Sequence, residues 1–426
     1  MKKIALLMAL LSTFLLSACT QPDSPPKQDS FVDNSINAHS AQPNMNGNLK
    51  ICDSLGSGGA STSDGYYYPM LRPDGNLNIR YLDYASHTDI VLCNNPGCAH
   101  NDESCNSFVQ SNGLIPGLAV INEKLVIVGG GINVSNPTQE DLPYIDIMEL
   151  NGSNRKRVYQ AKASSELGAL LCDSTDFYTI EQTLENQTES PALSQHLVKI
   201  DLTTGEKTVL LDMGENLIYP CGASGSTLYY YSIEPEDPAA SLSKTITKYY
   251  SYDLSAQSSE LLDTLSSDSA KAVTISDGTL YLVDSENQQL TTRPVTQASN
   301  SAPARNFPLS TTLSSCFLRC IVDGKLILDG QETLPDGTLQ SATCAIDLQT
   351  GSMQAWPLFY ESNSSGRSMQ VEISADLGDS FLVRCGEKTA EIDCPESGSC
   401  TTTIPQYALI KKSDFWAGNE AYTYFS

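Results

Sequence analysis

The stretch Gly225-Ser226-Thr227-Leu228-Tyr229-Tyr230 joins a tight turn to a strand of apolar and aromatic residues. The same pattern, a turn rich in Asp, Gly or Asn followed by such a strand, recurs along the chain. The first large residues after the seven turns are Tyr66, Leu125, Phe177, Leu228, Leu280, Leu326 and Phe381. Successive copies are 46 (280 to 326) to 59 (66 to 125) residues apart, so seven units fill the chain beyond residue 48.

A second strand follows most copies and carries an Asp just before another turn, as in Leu197 to Gly205. Each unit is therefore a small antiparallel sheet, and no stretch of ten or more residues has a helical stripe. Because one such sheet cannot bury both of its faces, the copies must stack. This predicts an all-β fold, a β-propeller of about seven four-stranded blades, with a β-sandwich array or a β-solenoid as alternatives. We expect Asn48 to Leu55 and Tyr407 to Ile410 to complete one blade from both chain ends.

The first eighteen residues have the pattern of a secretion signal. Lys2 and Lys3 precede a thirteen-residue apolar core, Ile4 to Leu16, which is too short to span a bilayer. The core ends in Leu16-Ser17-Ala18-Cys19, which resembles the lipobox of bacterial lipoproteins, where cleavage before the cysteine leaves a thiol that carries a diacylglyceryl group. An ordinary signal peptide with a chance cysteine is the alternative. Residues 1–18 are thus the predicted signal peptide, and lipid on Cys19 is the predicted membrane anchor.

The residues after Cys19 are rich in Pro, Ser, Asn, Gln and Asp. They offer too little apolar surface to offset the entropy of ordering them, so residues 19–47 are predicted to be the lipidated cysteine and a flexible, disordered tether. Residues 48–426 form the predicted propeller domain. The predicted location is the extracytoplasmic face of the cell membrane.

The chain is strongly acidic. Its net charge of −25 becomes −27 when Lys2 and Lys3 leave with the signal peptide. Such a surface repels phosphate backbones and anionic lipid head groups, so nucleic acid is excluded as a partner. Solubility alone is a sufficient reason for the acidity, and binding of cations or of a cationic partner is the alternative.

A cluster of cysteines and a histidine follows the first strands, in the order Cys93, Cys98, His100 and Cys105. Three thiolates and an imidazole within thirteen residues could surround one tetrahedral structural Zn²⁺, with no open position for catalysis. The alternative is disulfides, one within the loop and one to a partner such as Cys52, because export favours oxidation. A loop that senses metal or redox state is a third reading.

The segment Leu92 to Asn106 also resembles one family, the β-propeller cell-surface lipoproteins of low-GC Gram-positive bacteria. The likeness is carried by Leu-Cys-x-x-Pro-x-Cys-x-His followed by Cys-Asn, and by the closing segment Tyr407 to Trp416. It implies the propeller fold and brings no established activity.

The remaining cysteines are predicted to be structural. Cys172, Cys221 and Cys320 each precede a repeat strand by five to seven residues and so hold similar places in their blades. A bridge between Cys172 and Cys221, and another between Cys394 and Cys400, are predicted, with buried free thiols as the alternative.

Catalytic signatures are few. The sequence has no G-x-S-x-G elbow, no H-E-x-x-H helix, no phosphate-binding P-loop and no EF-hand pattern. We therefore assign no catalytic residue and predict a binding module for an extracytoplasmic ligand or protein. The alternative is an envelope enzyme that cleaves glycans with two carboxylates in the propeller funnel. The Tyr-rich strands are expected to pack blades together, with sugar stacking as the alternative.

Overall fold

The structure is a computed structural model. It describes residues 48–53, 55–111, 115–130, 142–162, 165–185, 192–214, 217–236, 245–266, 271–276, 278–295, 304–309, 313–334, 337–394 and 398–426. Within these ranges the chain forms a β-propeller of seven antiparallel blades with four strands each, which confirms the fold predicted from the repeat.

The blades follow one another along the chain, and each contains its strands in sequence order. Blades 1 and 2 are β2 (Ala60–Ser61), β3 (Gly65–Leu71), β4 (Leu77–Asp83), β5 (Thr88–Val91), and β7 (Gly117–Ile121), β8 (Lys124–Gly129), β9 (Tyr144–Glu149), β10 (Lys156–Gln160). Blades 3 and 4 are β12 (Leu171–Cys172), β13 (Phe177–Glu185), β14 (Ala192–Ile200), β15 (Lys207–Gly214), and β16 (Leu217–Ser224), β17 (Thr227–Pro235), β18 (Thr245–Asp253), β19 (Ser258–Ser266). Blades 5 and 6 are β20 (Lys271–Ser276), β21 (Thr279–Asp284), β22 (Gln289–Pro294), β23 (Arg305–Pro308), and β24 (Leu313–Val322), β25 (Lys325–Thr333), β26 (Leu339–Asp347), β27 (Met353–Ala355). Blade 7 is β30 (Glu372–Asp376), β31 (Ser380–Cys394), β32 (Gly398–Lys411) and β33 (Thr423–Tyr424).

Short elements complete the chain. They are β1 (Lys50–Ile51), β6 (Phe108–Val109), β11 (Ser165–Leu167), the hairpin of β28 (Phe359–Glu361) and β29 (Ser368–Gln370), and helix α1 (Lys412–Ala417). In the described part of the chain, no helix has the length and apolar character needed to cross a membrane.

Every copy of the sequence repeat is the second strand of a blade. The seven residues that mark the copies, from Tyr66 in β3 to Phe381 in β31, are buried or nearly so. In four blades, an Asp at the end of the third strand or directly after it caps the following turn with its side chain. In blade 6, for example, Asp347 Oδ1 accepts the backbone N–H groups of Gln349 and Thr350 at 3.0 and 2.8 Å. Asp83, Asp201 and Asp253 cap equivalent turns.

The core lies between the blades. Among the described residues, one hydrophobic cluster fills each interface between neighbouring blades, including that between blades 7 and 1. The alternation of side chains along a strand lets one strand serve two interfaces. In β3, Tyr66 and Tyr68 pack against blade 7, whereas Tyr67 packs against blade 2. The tyrosines of β3 therefore hold blades together, as expected, and Tyr229 and Tyr230 of blade 4 do the same.

The ring closes differently from our prediction. Residues 407–410 lie inside β32, and all four strands of blade 7 come from the C-terminal part of the chain. The N-terminal strand β1 pairs with β12, the first strand of blade 3. The prediction that the two chain ends share one blade is therefore wrong, because β31 already has partners on both sides.

Phe425 and Ser426 contribute to the interface between blades 7 and 1. The backbone N–H of Ser426 donates to the carbonyl of His87 at 3.0 Å, and the N–H of Asp89 donates to the carbonyl of Ser426 at 3.1 Å. Phe425 is buried in the cluster between blades 1 and 7. Blade 7 is thereby fastened to the outer strand of blade 1.

Candidate metal centre and inner cavity

The Cys-His segment is a loop that leaves the end of β5 and returns to the same sheet at β6, which pairs with β4. The loop folds back on itself so that Cys93, Cys98, His100 and Cys105 meet. One ligand atom from each of these residues lies within 4.8 Å of all the others. The four residues singled out from the sequence are thus brought together.

Two turns of the loop point backbone N–H groups at sulfur. The N–H of Asn95 donates to Cys93 Sγ, and that of His100 donates to Cys98 Sγ, both at 3.4 Å. The backbone at His100 has a φ of 58°, a left-handed conformation that non-glycine residues rarely adopt. Donors aimed at sulfur stabilise a thiolate, which is the form of cysteine that binds metals.

Buried polar groups of blade 1 hold the Cys-His loop in place. Arg72 Nη1 and Asn78 Nδ2 both donate to the backbone carbonyl of His100, each at 3.0 Å. Asn78 Nδ2 also donates to Ser107 Oγ at 3.2 Å, and that hydroxyl lies 3.1 Å from Cys105 Sγ. Arg72 and Asn78 are almost fully buried, so blade 1 holds the loop through a preorganised polar network.

The thiols of the loop differ in acidity. Burial alone would raise the pKa of Cys105, but hydrogen bonds from Ser107 and from the other two thiols lower it below its ordinary value. Burial raises the pKa of Cys93 to about 11. His100 Nδ1 lies 3.3 Å from Cys105 Sγ. The thiol of Cys105, which lies beside the imidazole, is therefore more readily deprotonated than that of Cys93.

The donor set is the kind that holds a tetrahedral divalent metal. With metal–sulfur and metal–nitrogen distances of about 2.3 and 2.0 Å, ligand atoms of a tetrahedral site lie roughly 3.5–3.8 Å apart. The observed spread of 4.8 Å is compatible with this after small side-chain rotations. All four positions would be filled by protein, which is the arrangement of a structural site.

The structure does not place Cys52 beside the Cys-His loop, as the disulfide alternative expects. The loop contributes three thiols, Cys93, Cys98 and Cys105, which cannot all pair with one another. Cys52, the partner expected from the sequence, lies in the core between blades 2 and 3, where its thiol contacts Cys172. That expectation is therefore corrected.

The other cysteines predicted to pair are also placed differently. Cys172 and Cys221 lie in separate clusters, Cys172 between blades 2 and 3 and Cys221 between blades 4 and 5. The structure does not bring them together, because β1 lies beside the segment that carries Cys172. The side chains of Cys394 and Cys400, like Cys19 and the rest of the signal and tether, lie outside what the structure describes.

A second feature, which the sequence did not reveal, is a cavity of about 810 Å³ on the inner side of the ring. Its walls are the first strands of blades 4, 5 and 6 together with the N-terminal segment around β1. Tyr231 and Tyr249 line it, and the ring of Phe317 is 72% exposed. The volume lies within the range of small-molecule binding sites.

Charge in the cavity wall is sparse. Among the described lining residues, Lys50 and Arg319 are basic and Asp53 supplies the one carboxylate, and the guanidinium of Arg319 is paired with Asp329 through two hydrogen bonds of 2.7 Å. The oxygens of Asp53 accept the backbone N–H groups of Ser57 and Gly58 at 2.9 and 2.6 Å. A pair of facing carboxylates for glycoside hydrolysis is therefore not assembled from these lining residues.

Neither a protein-family model nor a curated protein matches the sequence. Solved structures resemble it distantly. An oligogalacturonate lyase in complex with manganese has 12% identity and a TM-score of 0.46, covering 86% of this chain and 89% of that one. A puromycin hydrolase has 10% identity and a TM-score of 0.48, covering 89% of this chain and 55% of that one. The β-propeller domain of the trilobed protease from Pyrococcus furiosus has 8% identity and a TM-score of 0.40, with coverage of 85% and 93%.

Proposed function

We propose that the chain is a lipid-anchored lipoprotein of the extracytoplasmic membrane face, whose propeller binds a ligand in the inner cavity. The anchor rests on the sequence, where the apolar core runs into Leu16-Ser17-Ala18-Cys19. Two acyl chains on Cys19 would hold the protein durably, since one acyl chain gives only marginal membrane binding.

The observation that carries the binding role is the composition of the cavity wall. It combines the exposed Phe317 with Tyr231 and the largely buried Tyr249, and among the described residues it contains the cationic Lys50, a guanidinium paired with Asp329, and one carboxylate. Aromatic faces bind the apolar faces of sugar rings, and hydroxyl and cationic groups donate hydrogen bonds to their oxygens. A neutral or anionic carbohydrate is the ligand class that fits.

The Cys-His loop has a supporting role in this proposal. Cys93, Cys98, His100 and Cys105 would hold one Zn²⁺ as a structural ion, which ties the loop to blade 1 and supplies no open coordination position. The metal would therefore stabilise the ring without taking part in ligand binding.

Binding is tested by calorimetric titration of the full mature protein with oligogalacturonate and with chitotetraose. We expect at least one probe to bind, and Phe317→Ala to weaken that binding about tenfold, the usual loss for an aromatic contact at the centre of a site. Phe359→Ala is the matched control, because Phe359 is 47% exposed and lies outside the cavity. Equal affinity of the wild type and Phe317→Ala would reject this cavity as the site.

The anchor is tested separately. A Cys19→Ser variant, followed by membrane fractionation and labelling with a clickable fatty acid, should lose both the label and the membrane association. Label retained on the variant would contradict lipidation at Cys19.

A further inference from the structure

The N-terminal segment is part of the cavity wall but is held by few backbone bonds. Lys50 and Ile51 pair with Cys172 and Leu171 in a strand of two residues. Beyond them, the N–H of Cys52 donates to the carbonyl of Leu170, and that of Leu49 donates to the carbonyl of Gly225, both at 2.8 Å. With so few backbone bonds, the segment depends on its side chains to hold it in place.

Two cysteines, Cys52 and Cys172, lie close together where this segment meets blade 3. In an antiparallel pair, alternate residues share a face, so Cys52 lies on the same side as Lys50 and its partner Cys172. Both cysteines belong to the hydrophobic cluster between blades 2 and 3. The two thiols interact with each other, which raises the pKa of Cys52 and lowers that of Cys172.

We propose that Cys52 and Cys172 form a disulfide that fastens the N-terminal segment to the inner edge of blade 3. The two thiols lose two protons and two electrons as the sulfur–sulfur bond forms. The electrons and protons pass to an exchangeable disulfide, such as a thiol–disulfide oxidoreductase or oxidised glutathione, which becomes two thiols. The register places the two side chains as diagonal neighbours on one face, and within the shared cluster the two thiols are in contact.

The bond would join residues 120 positions apart (52 to 172) and so remove from the unfolded state the entropy of closing a long loop. It would also fix the wall of the cavity that Lys50, Ile51 and Asp53 provide. Formation in the cell rests on the extracytoplasmic location proposed above, because the cytoplasm keeps thiols reduced. Formation in a glutathione buffer does not depend on that location.

The test is peptide mapping of the full mature protein, purified without reductant and alkylated with N-ethylmaleimide. We expect a linked peptide pair containing Cys52 and Cys172, which a reductant separates. The purified reduced protein should form the same pair in a buffer of oxidised and reduced glutathione. Alkylation of both cysteines under all these conditions, or a bond from Cys52 to another cysteine, would overturn the inference.

Thermal melting provides the second readout. Reduction should lower the melting temperature of the wild type by on the order of 5 °C. Cys52→Ser should melt like the reduced wild type and should not respond to reductant. Cys344→Ser, which removes a buried thiol of blade 6, is the control and should keep the linked peptide. A Cys52→Ser protein that still responds to reductant would place the effect elsewhere.

Discussion

The ammonium group of Lys388 in blade 7 lies 3.5 Å from the carboxylate of Asp89 in blade 1. This ion pair crosses the interface at which the ring closes. Asp89 is buried, with 1% of its side chain exposed, and it also accepts hydrogen bonds from Arg80 Nε at 2.7 Å and from Tyr68 Oη at 3.0 Å. One carboxylate thus connects two strands of blade 1 to the long hairpin of blade 7.

Replacing this carboxylate should weaken the interface between blades 7 and 1. Asp89→Asn leaves Arg80 and Lys388 without their counter-charge, and loss of one partner of a buried pair costs about 3–5 kcal/mol. We expect a decrease of about that size in the free energy of unfolding, measured in urea. Glu149→Gln removes an equally short pair with Lys124 whose side chains are 37–39% exposed, and it should cost less than about 1 kcal/mol. Equal losses in the two variants would contradict a special role for Asp89.

A glycine sets the spacing between the first strands of blades 4 and 5. A Cβ added at Gly222 would overlap the backbone carbonyl of Ile275, which cannot move without shifting β20. Gly222→Ala should therefore destabilise the protein by about 1–3 kcal/mol, the usual cost of overpacking. Gly168→Ala is the matched control, because its Cβ would lie at an ordinary 3.5 Å from the nearest atom. Denaturant unfolding that ranks the two variants in the opposite order would show this contact to be unimportant.

The turn after β26 should make stability depend on acid pH. Hydrogen bonds from the backbone N–H and the hydroxyl of Thr350 lower the pKa of Asp347 from 3.8 to about 2. A carboxyl whose pKa is lower in the folded state binds fewer protons there, so its stabilisation is complete above pH 3.8 and is lost as pH falls towards 2.

Asp347→Asn should therefore show a shallower fall in melting temperature between pH 4 and pH 2 than the wild type. The measurement is a series of thermal melts across that range. Parallel curves for the two proteins would mean that the Thr350 hydrogen bonds do not discriminate between the two protonation states.

The Cys-His loop should contain zinc. Metal analysis of the full mature protein should give about one zinc per chain, lost in Cys98→Ser and retained in Cys344→Ser. A bound ion adds about 4 kcal/mol when free metal is roughly a thousandfold above its dissociation constant, so chelation should lower the melting temperature. Zinc-free wild-type protein in which two of the three loop thiols resist alkylation would instead indicate a disulfide within the loop.

Local patterns in the sequence were sufficient for the blades and for the Cys-His cluster. A turn followed by a strand recurs at Tyr66, Leu228 and Phe381. Each copy can be recognised because the turn and the strand are specified by residues that are close together in the sequence. The cluster is predictable for the same reason, since Cys93 and Cys105 are separated by one loop.

The rest depends on contacts between distant segments. The strand β1 has two residues and therefore no periodicity that a sequence pattern could show. Its pairing with Leu171 and Cys172 joins segments about 120 residues apart, and it follows from the ring arrangement of the blades. The cavity has the same origin, because Tyr231 and Phe317 come from different blades. The contact of Cys52 with Cys172 was missed although both residues were noted, because spacing along the chain gives no distance across the ring.

The four capped turns have a practical value for measuring energies. Asp83, Asp201, Asp253 and Asp347 each accept backbone N–H groups at the same place in their blades, so the molecule holds internal replicates of one hydrogen-bonding arrangement. The replicates share solvent, chain length and fold, and differ in their immediate neighbours. Comparing the four Asp→Asn variants would therefore separate the intrinsic energy of the turn from the influence of its surroundings within a single protein.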